Sequence, residues 1–79
     1  MHTKQQIDVI VRKIFANVLG YSYIHDDDTQ KSLGGDVGDA AEIVNRLEED
    51  LDIEITIADE EKYYTCTVKE IIDDIVAHQ

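Results

Sequence analysis

Any nucleophile, activating base or set of metal ligands in this chain must come from a short stock of residues. The run Asp26-Asp27-Asp28 first suggests an oxygen-rich cation loop. An EF-hand loop starting at Asp26 needs an oxygen ligand at its fifth position and glycine at its sixth, where the chain has Gln30 and Lys31. A start at Asp28 fails on Gln30 and Ser32. His2, His25 and His78 stand far apart and have only one cysteine, Cys66, for company, so no zinc set is expected. Cys66 directly precedes a helix-capping threonine, but no base is identifiable beside it, and it reads as a small, half-buried filler. Tyr63-Tyr64 reads as a cap on one end of the core. No catalytic constellation and no metal site survive. The chain is expected to be recognised by other proteins, not to act as an enzyme.

The elements that would position such residues are those of one small domain spanning residues 1–79, with 43% apolar residues for a modest core. Seven Lys and Arg stand against 18 Asp and Glu, a formal charge of -11 at pH 7. Nucleic acid and anionic membrane both select basic surfaces and are excluded as partners on this ground. No apolar run approaches the roughly 20 residues of a spanning helix, and the N-terminal residues lack the apolar stretch of a signal peptide. With a single cysteine and no internal disulfide, a reducing cytoplasm is the expected location. The charge is also uneven. Residues 1–20 hold Lys4, Arg12 and Lys13 against Asp8, a net of +2, and residues 21–79 hold 4 bases and 17 acids, a net of -13. Such asymmetry either draws a basic partner surface or keeps a small domain soluble.

Without proline, the helix ends must be marked by caps and glycines. Thr3-Lys4-Gln5-Gln6 reads as a capping box. Ile7, Ile10, Val11, Ile14, Phe15 and Val18 then form one helical stripe, closed by Gly20. Residues 21–35 are a long loop. A second helix follows, capped by Asp36 or by Asp39, with Ala40, Ile43, Val44, Leu47 and Leu51 inside. Gly38 favours a start at Asp39. Ile53-Glu54-Ile55-Thr56-Ile57 alternates like a strand but has no partner strand, so it is expected to be an extended connection tucking its isoleucines under the helices. Asp59 to Tyr64 is expected to be a short helical turn. Thr67-Val68-Lys69-Glu70 opens a last helix with Val68, Ile71, Ile72, Ile75 and Val76 inside.

The segment Leu33-Gly34-Gly35-Asp36-Val37-Gly38-Asp39-Ala40-Ala41-Glu42-Ile43-Val44-Asn45-Arg46-Leu47-Glu48-Glu49-Asp50-Leu51 resembles the acyl carrier protein family, which typically reads L-G-x-D-S-L-D-x-x-E-L-V-x-x-L-E-E across its second helix. Glu54-Ile55 and Thr67-Val68 continue the likeness. The resemblance implies an all-α, acyl-carrier-like four-helix bundle with three main helices, one short helix and a long loop after the first.

Its function would lie in fatty-acid, polyketide or related acyl metabolism. The family carries 4'-phosphopantetheine as a phosphodiester on a serine. In this register that serine falls on Val37, so no cofactor is expected there. The only nearby serine–leucine pair, Ser32-Leu33, lies five residues upstream, follows Lys31 where the family has aspartate, and is kept as a fallback site. Asp36, Asp39, Glu42, Glu48 and Glu49 match acidic positions through which carriers of this family meet basic patches on synthases and acyltransferases, and the protein is expected to be a monomer. Asn45 and Arg46 depart from the pattern. The chain is then either a drifted or engineered copy that keeps the fold, or a relative that lost the arm and kept the docking face. The alternative function is a non-carrier interaction or regulatory module on the same fold.

Overall fold

Four helices and no strand make up the structure, a computed structural model that describes residues 1–79. Helix α1 runs Lys4–Leu19. The Thr3 hydroxyl accepts the Gln6 N–H and the Gln6 side chain accepts the Thr3 N–H, at 3.1 and 2.9 Å. Gly20, at φ 82°, closes the helix in the left-handed region and donates its N–H to Ala16. Helix α2 runs Val37–Leu51 and ends on Asp52, which also takes a left-handed conformation. Helix α3 runs Ile57–Thr65 and α4 runs Val68–Ala77. A reciprocal box between Thr67 and Glu70 opens α4. The Thr67 backbone N–H, with help from the Thr67 side chain, also holds the Glu70 carboxyl below its ordinary range.

The stripes predicted by periodicity converge on one core. Ile7, Val11, Ile14 and Phe15 of α1 meet Ile43, Leu47 and Leu51 of α2, and Val68, Ile71, Ile72 and Ile75 of α4. Ile24 from the loop and Tyr63 from α3 complete it. Helix α1 lies against both α2 and α4, and α3 lies against α2. No helix is long and apolar enough to cross a membrane.

Two expectations need correction. The segment from Ile57 to Thr65 is a nine-residue helix, longer than the turn expected over Asp59 to Tyr64, because Thr56 acts as its N-cap by accepting the Asp59 N–H at 3.1 Å. For the same reason Ile57 is not tucked under the helices. It is the first residue of α3 and 78% exposed, whereas Ile53 and Ile55 are half-buried against the core as expected.

Helix α3 contributes only one buried residue, and polar bonds hold it in place. The Tyr63 hydroxyl donates to Asp74 on α4 at 2.6 Å, and Lys62 lies 3.4 Å from the same carboxylate. His78, one turn further along α4, is also 3.4 Å from it. The Tyr63 hydrogen bond, with help from Lys62, holds the Asp74 carboxyl below the usual aspartate range, against the opposing effect of its own burial. A carboxyl lowered in the folded state contributes stability above its unfolded value and loses it as pH falls. The thermal midpoint of Asp74→Asn should therefore lie below that of the parent at neutral pH. The two curves should approach one another as pH falls through the ordinary aspartate value of about 3.9 and below it, read by thermal denaturation across a pH series. Parallel curves would remove Asp74 from the acid sensitivity.

Candidate functional site

The first turn of α2 is built by a reciprocal exchange. Asp36 is the N-cap, and its carboxylate accepts the Asp39 N–H at 2.9 Å while the Asp39 carboxylate accepts the Asp36 N–H at 3.1 Å. This decides between the two cap candidates and corrects the start at Asp39. A carboxylate at the third helical position can close the box as glutamate does, so Asp39 lies inside the helix and Gly38 with it. Both acids also sit where the helix dipole favours negative charge. Val37 becomes the first helical residue, directly after the Asp36 cap, and is 85% exposed. No hydroxyl stands on this turn, whose residues are Asp36, Val37, Gly38, Asp39 and Ala40.

The loop that delivers this turn is fastened at both ends. At its start, Arg12 donates to Asp8 at 2.8 Å, to the carbonyl of Ile24 at 2.8 Å, and to the Asp26 carboxylate. That contact holds the Asp26 carboxyl below its ordinary value. The carbonyls of Asp28 and Asp26 then accept the N–H groups of Val68 and Lys69 at 2.8 and 3.2 Å. The aspartate run thus serves the loop's own fold and the entrance of α4.

At the far end, buried Gln30 donates to the Tyr63 carbonyl and Lys31 donates its N–H to that of Tyr64, both at 3.3 Å. The Tyr64 hydroxyl donates to the Gly35 carbonyl at 2.8 Å. A Cβ on Gly35 would meet Leu19 at 3.0 Å and the Gln30 carbonyl at 3.1 Å, so any other residue would press both neighbours back by a few tenths of an ångström.

Ser32 has a local task. Its hydroxyl donates to the Thr29 carbonyl at 3.0 Å and accepts the Thr29 N–H at 2.9 Å. The Thr29 hydroxyl in turn accepts the Ser32 N–H at 2.8 Å. This box makes the hydroxyl a brace of the turn over residues 30–34.

The five predicted docking acids do not share one condition. Asp36 and Asp39 are engaged in the cap, and Glu42 faces Arg46 at 3.6 Å. Glu48 is half-buried and accepts the Ile55 N–H at 3.0 Å, which fastens the connection after α2. Glu49 alone of the five makes no hydrogen bond or ion pair and is exposed. Helix α3 adds residues that the sequence reading missed. Its Glu60, Glu61 and Tyr64 line a groove of about 270 Å³ with Val37 and Ala40. The available signal was Thr56 with Asp59 three residues on, a helix start that places Glu60, Glu61 and Tyr64 on adjoining turns.

Away from this end, Cys66 is half-buried after α3, and burial pushes its thiol up, away from a reactive thiolate. Tyr63 is buried and Tyr64 half-buried. His25 and His78 are exposed and His2 half-buried, and no three His, Cys, Asp or Glu side chains are grouped as a metal site.

Residues 9–65 match the family described as "Phosphopantetheine attachment site". The chain belongs to that family. The fold agrees. The structure of BlmI from Streptomyces verticillus, described as a type-II acyl carrier protein involved in bleomycin biosynthesis, superposes with a TM-score of 0.83. The two share 27% sequence identity over 95% of this chain and 88% of that one. The four-helix, all-α architecture is thus that of an acyl carrier protein, a carrier fold and not an enzyme. In this carrier the stability of the site rests on its cap. Replacing Asp36 with alanine removes the acceptor for the Asp39 N–H and should cost about 1 kcal/mol. Val37→Ser should leave stability within about 0.5 kcal/mol, as for other exposed positions. Chemical denaturation of both variants checks the pair.

Proposed function

We propose that this chain is an acyl-carrier-like protein of fatty-acid, polyketide or related acyl metabolism. In this reading it docks to partner enzymes through α2 and carries no 4'-phosphopantetheine at Val37. The observation that carries the reading is the Asp36–Asp39 box with one exposed hydrocarbon side chain directly after the cap. That is the place in the helix where the resembled pattern D-S-L-D puts its serine. Valine offers no oxygen for a phosphodiester, so the group does not fit the residue present. Ser32 is a poor substitute because its hydroxyl already both donates and accepts within the turn.

The docking part of the reading rests on charge. A net of -13 over residues 21–79 raises encounter rates with a basic surface and is weakened by salt. Asp36, Asp39, Glu42 and Glu49 present their charge along α2, and Glu48 belongs to the set with a structural bond besides. The same charge disfavours self-association, so the protein acts as a monomer. Its single Cys66 fits the cytoplasm. The absent hydroxyl also favours a second reading, a regulatory or interaction module that retains the carrier fold and transfers no acyl group.

Loading tests the reading directly. Incubated with coenzyme A and a broad-specificity phosphopantetheinyl transferase, the parent should show no adduct by intact mass, and Val37→Ser should gain a single one. An adduct on the parent, mapped to Ser32, would overturn the claim. The Val37→Ser background also reports docking. Adding Glu42→Lys and Glu49→Lys should slow loading by about tenfold at low salt and less at high salt. An unchanged rate would remove the acidic face.

A further inference from the structure

We propose that the groove between the first turn of α2 and the C-terminal half of α3 seats an aliphatic side chain from a lysine- or arginine-rich partner segment, with Val37 as the apolar anchor. The proposal rests on the docking reading above and names the chemistry of the partner. Val37, Ala40 and the Tyr64 ring supply hydrocarbon, and the groove of about 270 Å³ has room for a leucine side chain. A singly exposed valine on a flat surface would need no explanation. Here it borders a concavity.

The rim is acidic. Glu60 and Glu61 line the groove, and the Asp36 carboxylate lies at the head of α2. The positive end of the α2 dipole is already met by Asp36 and Asp39, so it offers little to an incoming anion. Two of the cations on α2 and α3 are committed elsewhere: Lys62 faces Asp74 and Arg46 faces Glu42. A hydrocarbon floor bordered by Glu60 and Glu61 is complementary to an apolar residue flanked by basic ones. An acidic or neutral segment lacks the second half of that match.

The groove is also preformed. The Tyr64 hydroxyl bond to Gly35 and the Lys31 N–H bond to the Tyr64 carbonyl tie the end of α3 to the loop that precedes α2. Little ordering remains to be done on binding. A second copy of this chain is a poor occupant, since each would bring a formal charge of -11.

Two amidated helical peptides of lysine and alanine test the proposal, one with a central leucine and the other with glutamine there. Titrated into the ¹⁵N-labelled protein, the leucine peptide should shift the amides of Val37, Ala40, Glu60, Glu61 and Tyr64. It should bind about tenfold more tightly than the glutamine peptide, as expected for partial burial of one leucine. Val37→Ser should abolish most of that difference, and Glu60→Lys with Glu61→Lys should weaken both peptides.

Equal affinities, with shifts running along Glu42 and Glu49, would overturn the groove and leave docking through α2 standing. No binding of either peptide would overturn both. Concentration-dependent shifts at Val37 and Tyr64 without peptide would overturn it in favour of a second copy. Shifts at the same residues with hexanoyl-pantetheine alone would overturn it in favour of a free acyl thioester.

Discussion

The connection from Gly20 to Asp36 carries backbone polar groups that no helix satisfies, and the placement of Val37 depends on where they find partners. Arg12 takes the Ile24 carbonyl, and the N–H groups at the head of α4 take those of Asp26 and Asp28. Others pair within the loop, and the end of α3 takes the last, with Tyr63 receiving a bond from the Gln30 side chain, Tyr64 one from the Lys31 N–H, and Tyr64 returning one to Gly35. Each bond is worth only about 1 kcal/mol net, but leaving such a buried group unmade costs more. The loop is therefore pinned to three helices, and its last residue enters α2 at a set angle. The acidic loop was a candidate cation site on composition, and its carbonyls and Arg12 contact give it a structural office instead.

Surplus negative charge on a small domain works against compactness, since like charges repel. Part of the load is moved to places where it stabilises. Asp39, Asp59, Glu60 and Glu70 all stand in the first turns of helices, where unsatisfied N–H groups and the dipole favour carboxylates. Asp74 gathers the Tyr63 hydroxyl, Lys62 and His78, and Asp8 and Asp26 flank Arg12. An acidic residue on α2 is therefore not by itself a docking residue. Glu48 shows the difference: it is next to the exposed Glu49 in sequence, but it is half-buried and its carboxylate holds the Ile55 N–H.

What could be read from sequence follows the range of the interactions. The boxes at Thr3 and Thr67 were legible because both partners lie three residues apart, and the stripes of α1, α2 and α4 were legible because burial repeats with the helix period. Asp36 and Asp39 both satisfy the cap preference, and the start at Asp39 that Gly38 favoured was wrong because only the backbone shows which acid lies outside the helix. Helix α3 was understated because Ile53 to Ile57 alternates like a strand and masks Thr56 as a cap. The groove was illegible. It joins the start of α2 to the end of α3 through Tyr64 and Gly35, residues 29 apart, and Gln30 is buried for the same non-local reason.

The cap geometry also explains how a carrier fold can keep its shape whatever residue stands at position 37. The bonds that open α2 run between Asp36 and Asp39 and pass over the residue between them, whose side chain projects outward. Serine and valine are therefore nearly equivalent for folding. Stability does not select the side chain at this point, so its chemistry must be set by what approaches it. A hydroxyl there offers an oxygen to a transferase. A hydrocarbon there extends the floor formed by Ala40 and Tyr64 to the edge of the groove, and the proposed role follows from that change: recognition through contact, with charge to bring the partner in and an apolar edge to hold it.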